Sequence, residues 1–137
     1  MPAVIDHTVQ ARLVTVPSVT REIPVALRYD RHDPFAVRIV FPPDVSLDGH
    51  EVTWVFSREL LEDGLHSAVG HGDVHIRPDG TERTVVELRA PEGVAVIEFG
   101  TGGLRRFLRG TYELVPGGTE HLELDLDNRL TALLRGV

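Results

Sequence analysis

Apolar side chains in this chain recur at every second residue in short runs, and the runs are broken by Pro, Asp and Gly. Half-buried strands joined by tight turns satisfy that pattern, because successive side chains on a strand point to opposite faces. Ile23, Val25, Leu27 and Tyr29 share one face of such a run. Phe35, Val37, Ile39 and Phe41 share another, alternating with Ala36, Arg38 and Val40. Val9, Ala11 and Leu13 point one way earlier in the chain, and Val52, Trp54 and Phe56 do so after Asp48-Gly49, a hairpin signal. Further runs lie at Asp73 to Arg77, Thr84 to Arg89 and Val94 to Phe99, with Pro78-Asp79-Gly80 and Pro91-Glu92-Gly93 as turns between them. Roughly seven strands are implied.

The period changes twice. Ser57-Arg58-Glu59-Leu60-Leu61-Glu62-Asp63-Gly64 reads as a short helix, with Ser57 as cap, Glu59 at the positive end of the dipole and Gly64 as a left-handed stop. In the last third, Leu104, Phe107 and Leu108 mark the apolar face of an amphipathic segment flanked by Arg105, Arg106 and Arg109. Residues 115–121 read as a loop. Leu126, Leu130, Leu133 and Leu134 then give helical spacing, with Asp125 as cap, Gly136 as stop and the leucine face against the sheet. Four strands, a helix, three strands and a helical tail, with hairpin-length turns and no repeating crossover, make an α+β fold with antiparallel sheets. A length of 137 residues fits a single domain spanning 1–137.

Composition removes several chemistries. There is no cysteine, hence no disulfide framework and no thiolate nucleophile, which suits a reducing cytosol. No apolar run reaches the roughly 20 residues of a membrane helix, and Met1 to His7 lacks the basic and apolar regions of a secretory signal. The formal charge is -7 and every cationic side chain is arginine. Phosphate neutralisation needs clustered cations, and a net charge of -7 opposes generic nucleic-acid binding.

The constellations that could carry catalysis are weak. His66, His71, Asp73 and His75 offer imidazole and carboxylate ligands, but at no spacing that matches a metal motif. Ser57 and Ser67 lack the Gly-x-Ser-x-Gly elbow that would expose a nucleophile. Gly100-Thr101-Gly102-Gly103 precedes a helix but has neither the P-loop lysine nor the dinucleotide fingerprint, and reads as a strand-to-helix joint. No catalytic residue, metal or cofactor is expected.

Four blocks point elsewhere. They are residues 27–37 (Leu-Arg-Tyr-Asp-Arg-His-Asp-Pro-Phe-Ala-Val); residues 52–61, followed by Gly64-Leu65-His66 and Gly70-His71-Gly72-Asp73-Val74; Pro91-Glu92-Gly93 before an apolar strand; and Phe107-Leu108 through residues 115–121 to Asp125-Leu126-Asp127. In this order and spacing the chain resembles the SsgA-like sporulation and cell-division regulators of filamentous actinomycetes. The resemblance implies a whirly-like fold, an oligomer (a trimer), and a cytoplasmic, non-enzymatic protein acting at the division septum. It implies an adaptor in septum site selection that recruits the tubulin-like protein FtsZ, with other SsgA-like proteins and divisome components as partners. The alternative is a single-stranded nucleic-acid-binding whirly-like protein, which the charge opposes.

The loop Pro116, Gly117, Gly118, Thr119, Glu120 and His121 is the candidate protein-binding site. Adjacent glycines permit positive φ, Glu120 and His121 add polar handles, and Val115 and Leu122 anchor both ends.

Overall fold

The computed structural model describes residues 3–15, 19–45 and 49–134. Among them the chain forms eight strands: β1 (Val4–Thr15), β2 (Val19–Asp30), β3 (Ala36–Phe41), β4 (Val52–Ser57), β5 (Val69–His71), β6 (Val74–Asp79), β7 (Arg83–Ala90) and β8 (Gly93–Gly100). Three helices accompany them: α1 (Arg58–Gly64), α2 (Thr101–Leu114) and α3 (Glu120–Leu134). All eight strands belong to one antiparallel sheet of order β4-β3-β2-β1-β8-β7-β6-β5. Each half of the chain is thus a four-stranded meander. The halves join where β1 meets β8, from Ala11 opposite Phe99 to Val14 opposite Val96.

The sheet curls until its two halves share one core. Ile23, Val25, Leu27 and Tyr29 are fully buried, as their alternation predicts, and so are Val37 and Ile39. Val86, Leu88, Ile97 and Phe99 bring the second meander into the same cluster. An apolar cavity of about 170 Å³ remains inside the curl, where Leu13, Ile23 and Trp54 from one half face Leu88, Ala95 and Ile97 from the other. Trp54 is only half-buried at its mouth. Helix α1 runs from the β4 edge and packs on β5 and β6 at the other edge. Helix α2 lays Leu104, Phe107 and Leu108 on the core and passes beside β1, with Gly103 and Gly110 next to Val9 and Ile5. Among the described residues no helix is long and apolar enough to cross a membrane.

Several expectations are corrected. The eighth strand, β5, has three residues centred on Gly70, too few to show an alternation. Phe35 lies in the turn before β3 and is 51% exposed, so it does not extend that strand's apolar face. Gly64 is not a left-handed stop but a buried helical residue, and a Cβ there would stand 2.3 Å from Ile76 Cγ2. Helix α3 begins at Glu120, so the loop ends at Thr119 and Asp125 is helical rather than a cap. Acidic Glu120 and Glu123 suit that first turn, where the backbone N–H groups face them. Leu133 and Leu134 are 72% and 87% exposed, so this end of α3 does not lie on the sheet. The side chains of Leu126 and Leu130, together with Asp48 and Gly136, fall outside the described residues.

Candidate functional site

The loop is held in place by one side chain about sixty residues earlier in the sequence. Ser57 caps α1, its hydroxyl accepting from the Leu60 N–H at 2.9 Å. The next residue, Arg58, donates its own backbone N–H to the Phe35 carbonyl at 2.8 Å, which fixes the start of the helix against the β3 turn. From there its side chain runs inward and is 1% exposed. Nη1 donates to the carbonyls of Thr111 and Val115, at 3.0 and 2.7 Å, which closes the C-terminal end of α2. Nη2 makes an ion pair with Glu120 Oε2 at 2.9 Å, at the start of α3. The guanidinium carbon lies 4.0 Å from the ring centre of Tyr112 and 5.0 Å from that of Tyr29. A charge buried this completely needs pairing and hydrogen bonds: here Nη1 serves two carbonyls, Nη2 faces the carboxylate and two aromatic rings flank the group, while Nε is buried without a hydrogen-bond partner.

The neighbours of Arg58 are fixed in turn. The Tyr29 hydroxyl donates to the Pro34 carbonyl at 2.9 Å, and burial pushes its pKa up to about 12 against the opposing influence of Arg58. The Tyr112 hydroxyl donates to Glu62 at 2.5 Å; burial first, then this carboxylate, raises it well above the ordinary tyrosine value. Desolvation disfavours the Glu120 charge, yet its own backbone N–H, Arg58 and the Gly118 N–H outweigh that and hold the carboxyl below its usual range.

Residues 116–119 form a compact turn. Thr119 donates both its N–H and its hydroxyl to the Pro116 carbonyl, at 3.1 and 2.6 Å. The Gly118 N–H donates to Glu120 Oε1 at 2.6 Å, with Gly118 at φ +87°, a conformation that L side chains rarely adopt. Pro116, Gly117, Gly118 and His121 are exposed, whereas Thr119 and Glu120 are half-buried. Of the six predicted residues, the structure therefore presents four outward. It uses Thr119 to close the turn and Glu120 to bind Arg58. Sequence reasoning missed Arg58, Tyr29 and Tyr112 as the support of this loop. A signal existed: a cation in the first turn of a helix opposes the helix dipole, so Arg58 needed another reason to stand there.

The other candidates are separated. His75 sits opposite Gly70 across the β5–β6 pair, where the missing Cβ leaves room for the imidazole ring. Among the described residues no three His, Cys, Asp or Glu side chains gather as a metal set. Thr101, at the glycine-rich joint, is buried and shares a 2.8 Å hydrogen bond with Thr84.

An eight-stranded antiparallel curled sheet, its edges bridged by a short helix and its surface loop pinned by a buried arginine, defines an α+β scaffold. The family described as "Streptomyces sporulation and cell division protein, SsgA" matches residues 23–120, and the chain belongs to that family. It is 37% identical to the sporulation-specific cell division protein SsgB of Streptomyces coelicolor, covering 98% of each chain. It is 38% identical to SsgB of Salinispora tropica, over 98% of this chain and 96% of the relative. The solved SsgA-like sporulation-specific cell division protein of Thermobifida fusca superposes with a TM-score of 0.83 at 34% identity, covering 93% of both chains. An SsgB structure, reported with mutations that correlate to longitudinal cell division during sporulation of S. coelicolor, superposes with a TM-score of 0.77 at 35% identity, covering 88% of this chain and 94% of that one.

Proposed function

We propose that this protein is a non-enzymatic regulator of sporulation-specific cell division, acting as a single-domain adaptor between proteins in septum site selection and FtsZ recruitment. The observation that carries the reading is the end-to-end likeness to SsgB, which spans both meanders, α2 and the loop. Its partners are other SsgA-like proteins and FtsZ or other divisome components, met as a homotrimer in the cytoplasm at the septum. The exposed part of the 116–121 turn, Pro116 to Gly118 with His121, is the contact surface: its backbone is pre-ordered by Arg58 and Glu120, so little conformational entropy is lost on docking.

The test is complementation of an S. coelicolor strain lacking SsgB with a fluorescent fusion of this protein, imaged beside FtsZ in sporulating hyphae. The wild-type chain restores regular septa and forms ladders with FtsZ. Gly118→Val strains the left-handed backbone by about 1–3 kcal/mol although a Cβ there meets nothing within 4 Å, and it is expected to remain folded and assembled. It is expected to misplace septa. Circular dichroism and sedimentation on the same variant separate lost contact from lost fold. Normal septation by a folded, assembled variant sinks the assignment of this loop, and failure of the wild-type chain to localise sinks the adaptor reading. A sedimentation mass of one chain at micromolar concentration removes the trimer.

A further inference from the structure

The arginines on the described strands and on α1 are ion-paired, each within 4.0 Å of a carboxylate. Arg105, Arg106 and Arg109 are the exception as a group. They lie together on the exposed face of α2, and none has an ion-pair partner among the described residues. Their placement does not serve the helix. Arg105 and Arg109, four residues apart on the helix, repel one another. Glu113, the acidic residue further along that face, follows Arg109 in the less favourable order and forms no ion pair with it. Beside Arg106 a shallow groove of about 370 Å³ runs between α2 and β1, lined by Asp6, His7, Thr8, Val9 and Gly103. Asp6 at its end is already engaged by Arg28 at 2.9 Å.

We propose that this face of α2 is a docking surface for an acidic segment of a partner protein, whose carboxylates pair with Arg105, Arg106 and Arg109 while its backbone lies along the groove beside β1. Guanidinium forks match carboxylates geometrically, and three of them cover about 6 Å of helix, the span of a few acidic residues in extended conformation. Magnitude decides against the other anionic polymers. Nucleic-acid affinity through counterion release grows with the number of phosphates neutralised and is weak for a few, and membrane recruitment by basic side chains takes clusters of about 4–8. Three arginines on a chain of net charge -7 fall short of both. The surface is distinct from the 116–119 turn, which follows the opposite end of α2, so it stands whether or not that turn binds anything.

The test is an anisotropy titration of the full chain against a fluorescein-labelled decaglutamate peptide, with decaglutamine as the neutral control. We expect saturable binding to the acidic peptide alone, weakening at least about tenfold between roughly 50 and 300 mM salt as the charges are screened. Arg105→Gln/Arg106→Gln/Arg109→Gln is expected to weaken it at least about tenfold. A control of equal charge, Arg21→Gln/Arg77→Gln/Arg89→Gln, removes arginines that are already paired and is expected to change it by less than about threefold. Circular dichroism confirms that both variants fold. No saturable binding at the lower salt, equal losses in the two variants, or tighter binding of a labelled single-stranded oligonucleotide or of phosphatidylserine vesicles overturns the proposal.

Discussion

Replacing Arg58 by methionine keeps most of its volume and removes everything else that it does. The Val115 carbonyl, on a residue with no exposure, loses a 2.7 Å charged donor, and an orphaned buried acceptor costs about 1–3 kcal/mol. The Thr111 carbonyl still accepts from the Val115 N–H at 2.9 Å, so its loss is smaller. Glu120 keeps the Gly118 N–H and is 15% exposed, which puts its loss of a counter-charge at the low end, near 1 kcal/mol. Losing the cation from the Tyr112 face adds roughly 0.5–2 kcal/mol. Together these give about 3–5 kcal/mol, the range expected when one partner of a buried pair is deleted. In a chain of this length that lowers the thermal midpoint by roughly 10–15 °C, readable by circular dichroism or urea titration. Because native stability is only about 5–15 kcal/mol, Arg58→Lys serves as the milder companion. Lysine keeps the charge but lacks the planar fork whose two nitrogens reach the carbonyls and the carboxylate separately, and about 2 kcal/mol is expected. A double-mutant cycle with Glu120→Gln should show coupling above about 1 kcal/mol. A methionine variant within about 1 kcal/mol of wild type, or no coupling in the cycle, refutes Arg58 as the clamp of the loop.

Gly64→Ala drives a Cβ into Ile76, which is 1% exposed, and should cost about 1–3 kcal/mol in urea unfolding. Because the folded-state pKa of Glu120 is depressed, its contribution is present above the unfolded carboxylate value and is lost as pH falls through the folded one; Glu120→Gln should flatten stability below about pH 4.5. Both tyrosines are raised, so the folded state holds their protons after the unfolded state has released them. Stability should therefore fall between about pH 10 and pH 12, with tyrosinate absorbance appearing only at or above the upper limit, and early ionisation would contradict the buried setting of Tyr29 and Tyr112. Trp54→Ala should cost about 2 kcal/mol, below the roughly 3–5 of a fully buried ring, because this tryptophan is half-buried at the cavity mouth.

Strand identity was legible residue by residue, because the alternation that hides Val25 and Leu27 from water is a property of consecutive residues in a pleated chain. The Pro91-Glu92-Gly93 turn, the Ser57 cap and the inward face of α2 are equally local and stand where the spacing put them, whereas Pro78 and Asp79 continue β6 and the turn there follows them. Pairing of β1 with β8 was not legible, since it joins residues more than eighty positions apart and no local pattern records which strand closes the sheet. Nor was the reason for Gly64, whose smallness answers to Ile76 on another strand rather than to its own backbone. The start of α3 was decided by Arg58, which lies 62 residues earlier and fixes Glu120 as a helical residue instead of a loop handle. A side chain's local periodicity can say whether it faces inward, but only the closed sheet decides what it meets there. For Arg58 that meeting of two helix ends, one carboxylate and two aromatic rings is what makes a buried charge tolerable.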